Sequence, residues 1–306
     1  MFEKIMFATT GTPICDNAAH VAFDIAKKYN SKLFMFHVLG LPSRGFSQVV
    51  TDIRSGQPEQ IDADYVSWVK EELKNTYDKY LKDCRECEID SVAGVPSTEI
   101  LRKARQKDID LIVMGAHSRQ EETGAARYRG AVGTNMQHVA RGARCPVLIV
   151  SRPCTTCLWY FSNIVFGTDF SKASFSAFLF ASKLAKEIGS KLYIFHALDM
   201  SAVHAGKVIS QEDIEARILE ARKKIDKTYL PHLRDYDNFD IDIWEGIPYV
   251  EILKYSRAKN ADLIVMAHHT KEIDPDQAIL GGTVEQVVLR ASCPVASVNH
   301  PDKVRD

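Results

Sequence analysis

The stretch "DLIVMGAHS", residues 110–118, returns almost unchanged as "DLIVMAHHT", residues 262–270. In both copies an aspartate precedes a short apolar run, which is typical of a strand buried on both faces of a parallel sheet. Small and polar residues follow at once, and in open α/β sheets ligands bind just beyond the carboxyl ends of the strands. The stretch therefore predicts an α/β fold with a parallel sheet, and a candidate ligand site after this strand in each copy.

Four further segments are repeated in the same order, so the duplication spans the chain. "KIMFATT", "SKLFMFHVL", "GVPSTEIL" and "RCPVLIV" begin at residues 4, 31, 94 and 144, and their partners "NIVFGTD", "SKLYIFHAL", "GIPYVEIL" and "SCPVASV" begin at residues 163, 190, 246 and 292. The offset between the copies therefore falls from 159 to 152 and then to 148 residues. Because loops tolerate changes of length, the second copy is expected to be shorter in two loops. The sequence predicts two similar domains, residues 1–152 and 158–306.

Strand patterns alternate with helical patterns inside each copy. In the second copy, apolar residues recur at helical spacing in two stretches, Ala177, Ala181, Leu184 and Ile188, then Ile214, Ile218, Ala221, Ile225 and Tyr229. In the first copy the long helix carries Val69, Leu73, Tyr77 and Leu81. Five strands alternating with four helices predict a five-stranded parallel sheet covered by helices on both faces.

The composition excludes two classes of partner. The chain has 39 basic and 40 acidic residues and a net charge of −1, so no bulk charge attracts nucleic acid or an anionic membrane. No segment approaches the roughly 20 uninterrupted apolar residues of a membrane-spanning helix. We expect a cytoplasmic protein with neither nucleic acid nor membrane as a partner.

Together these segments resemble the universal stress protein family, and in particular its members with two domains in one chain. Four elements in fixed order carry the resemblance: the first strand ending in "ATT" or "GTD", the "FHV" or "FHA" strand, the "DLIVM" strand, and the "CPV" ending. The resemblance implies two adenine nucleotide alpha hydrolase-like, Rossmann-like domains with strand order 3-2-1-4-5. It also implies that the domains pair through their last strands as an intramolecular pseudo-dimer, that a homodimer is a second arrangement, and that the protein regulates stress responses through an unnamed protein partner.

The ATP-binding branch of that family has a motif of Gly, two residues, Gly, nine residues and Gly followed by Ser or Thr. Glycines let backbone amides approach phosphate oxygens, and the final pair opens a helix whose N-terminus favours an anion. A first-strand Asp and a second-strand Val hold the base and ribose. The resemblance therefore implies ATP or another adenine nucleotide as the ligand.

The second copy keeps the acid but loses glycines. Its residues at the family's site are Asp169, Ala197, Met266, Ala267, His269, Thr270, Gly281, Gly282 and Thr283. Thr270 stands for the second glycine, and ten residues separate it from Gly281. The alternative role for Asp169 is that of N-cap of the following helix, because "DFSKAS" is a favourable capping sequence.

The first copy keeps glycines but loses the acid. Its residues at the family's site are Thr10, Val38, Gly115, Ser118, Gly133 and Thr134. Thr10 replaces the acid, and fourteen residues, 119–132, stand where the family has nine. If only one copy binds nucleotide, the sequence therefore predicts that it is the second.

Histidines lie beside both predicted sites. His117, His268 and His269 follow the fourth strands, where we expect solvated loop positions, with contact to phosphate or a metal as the alternative. His37 and His196 occupy one repeated position, and for these we expect packing beneath the loop, with pH sensing as the alternative.

Two cysteine pairs, Cys84 with Cys87 and Cys154 with Cys157, have the half-site form of a four-thiolate zinc centre. The 66 residues between the pairs are far more than a compact zinc module uses, so bound zinc is not the favoured prediction. We expect reduced cysteines without a structural role, with a thiol switch as the alternative. Cys145 and Cys293, at one repeated position, are expected to pack in the two cores.

No catalytic motif is visible: the chain lacks "G-x-S-x-G", a Walker lysine loop and "H-E-x-x-H". The sequence therefore predicts a binding protein and no enzyme, with at most slow ATP hydrolysis at the binding site. Two alternatives stay open. One is an interaction scaffold that has lost nucleotide binding, and the other is a thiol or zinc sensor that works through the cysteine pairs.

Overall fold

The computed structural model describes residues 2–40, 49–51, 58–60, 63–116, 133–152, 161–200, 210–268 and 282–298. The contacts within the chain divide it into two compact units, unit 1 (residues 1–150) and unit 2 (residues 151–306). Within the described ranges, no helix has the length and apolar character needed to cross a membrane.

Unit 1 alternates strands with helices. Its elements in chain order are β1 (Lys4–Thr9), α1 (Asp16–Tyr29), β2 (Lys32–Gly40), β3 (Val49–Thr51), β4 (Pro58–Gln60), α2 (Ala63–Thr76), α3 (Asp78–Leu81), β5 (Cys87–Gly94), α4 (Pro96–Lys107), β6 (Leu111–Gly115), α5 (Thr134–Gly142) and β7 (Val147–Val150). A short 3-10 helix, Pro13–Cys15, precedes α1. The strands β3 and β4 form a small antiparallel pair of their own, which the sequence did not predict.

Unit 2 repeats the order without a counterpart to that pair in its described part. Its elements are β8 (Asn163–Gly167), α6 (Lys172–Ile188), β9 (Lys191–Asp199), α7 (Gln211–Thr228), β10 (Phe239–Gly246), α8 (Pro248–Ala258), β11 (Leu263–Met266), α9 (Gly282–Arg290) and β12 (Val295–Ser297). A 3-10 helix, Leu230–Leu233, follows α7. Because Pro231 has no amide hydrogen to continue the α-helical bonding, the long helix ends here.

The strand order within each unit is the predicted one. In unit 1 the order is β5-β2-β1-β6-β7, in unit 2 it is β10-β9-β8-β11-β12, and the pairs within each unit run parallel. Numbered within the repeat, both orders are 3-2-1-4-5. The chain reverses its winding direction between the first and fourth strands, and this is where open α/β sheets bind ligands. The predicted fold class is confirmed.

The aspartate that opens each repeated stretch ties the fourth strand to the first. Asp110 Oδ2 accepts hydrogen bonds from the amides of Glu3 (3.0 Å) and Lys4 (2.9 Å). The carboxylate of Asp262 accepts from the amides of residues 162 (2.7 Å) and 163 (3.0 Å). Because buried backbone amides need an acceptor, the position needs a carboxylate in both copies.

The apolar runs that follow are buried, as predicted for strands covered on both faces: Leu111 to Met114 in β6 and Leu263 to Met266 in β11. The predicted helical stripes also face the cores, with Leu73 and Tyr77 buried in unit 1 and Ile225 and Tyr229 in unit 2. Both helices that follow a "G-x-P" begin at the proline, which suits the first helical turn because its missing amide hydrogen has no partner there.

Candidate functional site

The end of the first strand in unit 1 is held by three contacts to one residue, Thr9. Its Oγ1 hydrogen-bonds the buried hydroxyl of Tyr77 at 2.6 Å and accepts from the amide of Gly11 at 3.0 Å. His37 Nδ1 donates to the Thr9 carbonyl at 2.9 Å. Gly11 has a φ of 69°, so the chain turns sharply just after Thr10.

Unit 2 repeats this arrangement around Thr168. Its Oγ1 hydrogen-bonds the hydroxyl of Tyr229 at 2.5 Å and accepts from the amide of Phe170 at 3.0 Å, and His196 Nδ1 donates to its carbonyl at 2.8 Å. Phe170 has a φ of 64°, which is uncommon for a residue with a side chain. Sequence reasoning missed these contacts, although a repeated threonine and a repeated tyrosine carried the signal. Their effect is to fix the residue between, Thr10 or Asp169, at the switch point.

Burial sets the protonation of the groups beneath these turns. It lowers the pKa of His37 and of His196 below its ordinary value, so both imidazoles are neutral near pH 7. It raises the pKa of Tyr229 to about 12, so that hydroxyl keeps its proton. A neutral imidazole with its Nδ1 proton on a carbonyl supports the predicted packing role of the two histidines.

A cavity opens at the switch point of unit 1. The cavity has a volume of about 80 Å³, and it is lined by Thr10, Val38, Gly115 and Gly133. These are four of the six residues that the sequence placed in this site. Phe36, Met114 and Met136 form apolar parts of the wall. This small cavity, called the slot below, has the mainly apolar lining with a few polar groups that is typical of small-molecule sites.

The phosphate end predicted for unit 1 is described only in part. Gly133 is the N-cap of α5, and no side chain within the described residues caps that helix. Its first amides, beginning at Thr134, therefore remain available to an anion. Ser118 lies outside the described residues.

Asp169 in unit 2 holds the turn that starts α6. Its Oδ1 accepts from the Ser171 amide at 2.9 Å and from Ser174 Oγ at 2.5 Å. The N-cap itself is Ser171, whose Oγ accepts from the Ser174 amide at 3.1 Å. The alternative role of Asp169 as N-cap is therefore wrong. A residue in extended conformation just before the first helical turn caps it, and Ser171, two residues after Asp169, is that residue.

The other described residues of the unit 2 site lie at the ends of neighbouring strands. Ala197 is in β9, Met266 ends β11, and Ala267 follows it. Gly282 and Thr283 start α9. The remaining predicted residues, His269, Thr270 and Gly281, lie outside the described residues.

The expectation of a solvated His268 is wrong. Its side chain is 0% exposed, and Nδ1 lies 3.4 Å from Ser297 Oγ in β12. Pairing continues past the end of β11, where the Val298 amide donates to the Met266 carbonyl at 2.9 Å, so the chain is held against β12. His117 lies outside the described residues, as His269 does. The described part of the chain holds no group of three or more potential metal ligands.

The first cysteine pair forms a disulfide. Cys84 is bonded to Cys87, with 6.1 Å between their Cα atoms, so the expectation of reduced cysteines is wrong for this pair. Two sulfurs bonded to each other are not the thiolates that a zinc site requires. Cys154 and Cys157 lie outside the described residues.

Cys145 and Cys293 are buried thiols, which confirms the predicted packing, and burial raises the pKa of Cys293 to about 12.

Comparisons with known proteins agree on one family. The model of the universal stress protein family matches residues 1–151 and again residues 161–299. A universal stress protein of Methanocaldococcus jannaschii is 28% identical over 163 residues, which cover 50% of this chain and 84% of the relative. One of Bacillus subtilis is 26% identical over 159 residues, which cover 49% of this chain and 99% of the relative.

Solved structures match the chain over its whole length. A universal stress protein of Archaeoglobus fulgidus superposes with a TM-score of 0.68 and 20% identity, over 98% of each chain. A functionally unknown protein of Pseudomonas aeruginosa superposes with a TM-score of 0.63 and 16% identity, over 99% of this chain and 94% of that one. At these identities the likeness shows the fold alone. Because the family model matches nearly all of both copies, the chain belongs to the universal stress protein family and carries two of its domains in tandem.

Proposed function

We propose that this protein binds an adenine nucleotide, ATP or a close relative, at the switch point of its α/β units and regulates a stress response through a protein partner. The cavity of unit 1 carries the proposal, since residues chosen from the sequence alone line it. The proposed role is binding, without catalysis, and the proposed setting is the cytoplasm.

In unit 1 the base lies in the apolar slot and the phosphates lie toward α5. Val38 and Met114 supply apolar surface for the ring, and the Thr10 hydroxyl offers a donor or an acceptor at its edge. The first amides of α5 follow Gly133 and favour the charge of the phosphates. No metal or thiol is needed for this mode of binding.

Unit 2 is the other candidate for the nucleotide-binding site. Asp169 offers a carboxylate where unit 1 has a hydroxyl, and on that ground the sequence predicts the second copy as the better site. Asp169 Oδ1 already accepts two hydrogen bonds within its own turn. Thr10 Oγ1 likewise contacts Thr12 Oγ1 at 2.8 Å and Cys15 Sγ at 3.2 Å, so these local bonds favour neither unit. The choice between the two units is open to a direct test.

The test uses a matched pair of substitutions at one repeated position. Val38→Trp fills the slot of unit 1, and Ala197→Trp makes the same change in unit 2. Calorimetric titration of the full chain with ATP measures affinity and the number of equivalents. If unit 1 binds, Val38→Trp removes an equivalent and Ala197→Trp leaves it; if unit 2 binds, the effects are exchanged.

A second pair of substitutions examines the base end of each site. Asp169→Ala and Thr10→Ala remove one polar side chain each. A lost hydrogen bond to a buried ligand costs about 1–3 kcal/mol, or roughly 5- to 150-fold in affinity, so only the variant of the occupied unit weakens binding. If the wild-type chain takes up no ATP, the proposal fails and an interaction scaffold without nucleotide is favoured.

A further inference from the structure

The turn that enters the third strand of the repeat is built on one plan in both units. In unit 1, Lys27 forms an ion pair with Asp83 at 2.8 Å, and in unit 2 Lys186 forms one with Asp235 at 3.2 Å. One backbone hydrogen bond also recurs: the Leu33 amide donates to the carbonyl of residue 86 at 2.9 Å, and the Leu192 amide to that of residue 238 at 3.0 Å. The two turns are therefore equivalent, and each joins a helical segment to the edge strand of its sheet.

In unit 2 the described contacts of this turn are hydrogen bonds and that ion pair. The hydroxyl of Tyr236 donates to the carbonyls of Ala185, at 3.1 Å, and of Ser190, at the end of α6. Asn238 Nδ2 donates to the carbonyl of Gly189 at 3.3 Å. None of these contacts responds to an oxidant or a reductant.

In unit 1 a covalent bond takes the place of the tyrosine. Cys84 stands at the position of Tyr236, and its disulfide to Cys87 joins the turn to the first residue of β5. Arg85, between the two cysteines, donates from Nη1 to Asn30 Oδ1 at 2.9 Å. The same turn is thus held by a bond that a thiol can cleave.

The disulfide can be reached from solvent. Both cysteines are partly exposed, and Cys84 lines a cleft of about 470 Å³ at the end of α1. The cleft carries three cations, Lys27, Lys79 and Arg85, beside three anions, Asp24, Asp83 and Glu86. Cations favour the thiolate form of a cysteine and anions oppose it, so what the cleft contributes is access of a reagent to Cys84.

We propose that Cys84 and Cys87 form a reversible thiol–disulfide site whose co-reactant is an external dithiol, and that it controls the order of the turn entering β5. A thiolate of the dithiol attacks Cys84 Sγ, and the bond to Cys87 breaks. Cys87 leaves as a thiolate and takes up a proton. The second thiolate of the reductant then attacks its own sulfur in the mixed disulfide, and Cys84 is released and protonated. The pair gains two electrons and two protons, and the co-reactant becomes a disulfide.

Reduction removes the one covalent constraint that the described residues of this turn show. β5 is the edge strand of its unit's order and pairs with β2 from Cys87 onward, so a looser turn is expected to show first in the bond from the Leu33 amide to residue 86. In a cytoplasmic setting a disulfide is typically transient or redox-sensing, which agrees with reversible use. The cleft lies at the amino ends of β2 and β5, whereas the candidate nucleotide cavity lies at the carboxyl ends. The inference therefore stands independently of nucleotide binding.

The experiment uses the full chain with Cys154→Ser and Cys157→Ser, so that Cys84 and Cys87 are the C-x-x-C pair that remains. The protein is equilibrated in buffers of reduced and oxidised dithiothreitol, a dithiol couple, of increasing reducing strength, alkylated, and analysed by peptide mass. Hydrogen exchange of the Leu33 and Leu192 amides is followed in the same samples. We expect the Cys84–Cys87 peptide to become half reduced within the range of the buffers and to reoxidise on return. Exchange at Leu33 rises on reduction, while exchange at Leu192, whose amide donates to the turn fixed by Tyr236, does not.

Two further variants separate the thiol chemistry from general loosening. Cys84→Ser with Cys87→Ser gives fast exchange at Leu33 in every buffer. Single variants compare the two sulfurs, and Cys84, left alone by Cys87→Ser, reacts faster with a small disulfide reagent than Cys87 left alone by Cys84→Ser. A pair that stays oxidised until the protein unfolds overturns the proposal. So does a change in exchange that is equal at Leu33 and Leu192, or absent at both.

Discussion

The side chain of Asp262 is 2% exposed, and its carboxylate accepts hydrogen bonds from the amides of Ser162 and Asn163. A buried carboxylate is costly unless it is fully hydrogen-bonded, and buried amides without an acceptor are costly too. Each group therefore removes the cost of burying the other. The half-buried Asp110 makes the equivalent bonds in unit 1, from the amides of Glu3 and Lys4, which accounts for an aspartate at the head of both repeated stretches.

Replacing Asp262 by Ala should destabilise unit 2 strongly. Two hydrogen bonds to a charged acceptor are lost and two amides are left without it, so the free energy of unfolding should fall by about 3 kcal/mol. Urea denaturation followed by circular dichroism measures the change. The control is Asp226→Ala, which removes an exposed ion pair with Arg222 and should change stability by about 0.5 kcal/mol or less. Equal effects of the two substitutions would contradict the role given to Asp262.

At single positions the sequence predicted which residues lie together better than what each of them contacts. Thr10, Val38, Gly115 and Gly133 meet around one cavity as the family motif implied. The burial of His268 could not be predicted, because it depends on a neighbouring strand that lies about 30 residues further along the chain. The bonds of Asp169 are local, to Ser171 and Ser174, and the capping sequence indicated such contacts without showing that Ser171 is the N-cap.

Ion pairs line the outer strand of each unit at matching positions. In β5, Asp90 contacts Lys103 at 2.5 Å and Lys70 at 3.0 Å. In β10, Asp242 accepts from the buried hydroxyl of Tyr255 at 2.6 Å. Burial of that hydroxyl, together with its bond to the carboxylate, raises the pKa of Tyr255. The tyrosine therefore keeps its proton and donates it to the carboxylate in a hydrogen bond. The same strand position thus carries two lysine contacts in unit 1. In unit 2 it carries the phenol contact and a longer lysine contact, from Lys259 Nζ at 3.5 Å.

The ion pairs of Asp90 with Lys103 and Lys70 should make the stability of unit 1 depend on pH in the acid range. Burial alone would raise the pKa of Asp90, but the bonds from Lys103 and Lys70 outweigh it and hold the pKa below 3.8. A carboxylate whose folded pKa is lowered contributes stability above its unfolded pKa and loses it as the pH falls through the folded value. We therefore expect stability to fall on acidification below about pH 4. Asp90→Asn should be less stable at pH 7 and show a smaller fall.

The comparison variant for this acid dependence is Glu220→Gln. Glu220 is fully exposed, and its contact with Lys224 is a helical surface pair. Salt and solvent screen such pairs, so this substitution should leave the pH profile almost unchanged. Denaturation midpoints measured between pH 3 and pH 7 test both variants, and identical profiles for wild type and Asp90→Asn would remove Asp90 from the account.

Strands and helix starts were predictable because their signals are local. Apolar runs marked the central strands, and Pro96 and Pro248 marked the starts of α4 and α8. The small pair β3–β4 was not predicted, because three-residue strands show no periodicity that can be distinguished from a loop. The break after Thr76 was also missed, since Tyr77 continues the apolar spacing while its φ of −106° leaves the helix.

At the scale of the whole chain, each unit contains a full set of five parallel strands, its covering helices and its own buried core. A unit of about 150 residues buries enough surface to fold alone. Residues 1–152 and 158–306, expressed separately, should each unfold in one cooperative transition, measured by thermal circular dichroism. A fragment that lacks a cooperative transition would show that its unit depends on the rest of the chain.

The two-domain organisation was predictable from the sequence, because five segments are repeated in the same order along the chain. The strand order came from the family resemblance, since periodicity gives strands but not their neighbours. The matched turns with Cys84 and Tyr236 could not be predicted, because the chemistry of each tether shows only when the two units are compared atom by atom.

The hydrogen bonds that the amides of Glu3 and Lys4 donate to Asp110 also determine when unit 1 can finish folding during its synthesis. The acceptor that Lys4 needs is 106 residues away, and β6, which pairs with one side of β1, is made with it. At the usual rate of about 5–20 residues per second, the nascent chain waits roughly 5–20 s for that partner. During this interval one edge of β1 and its apolar side chains stay open to chaperones or to aggregation. A slow stretch of codons before residue 110 would lengthen the exposure, and one after residue 150 would give unit 1 time to close before unit 2 is made.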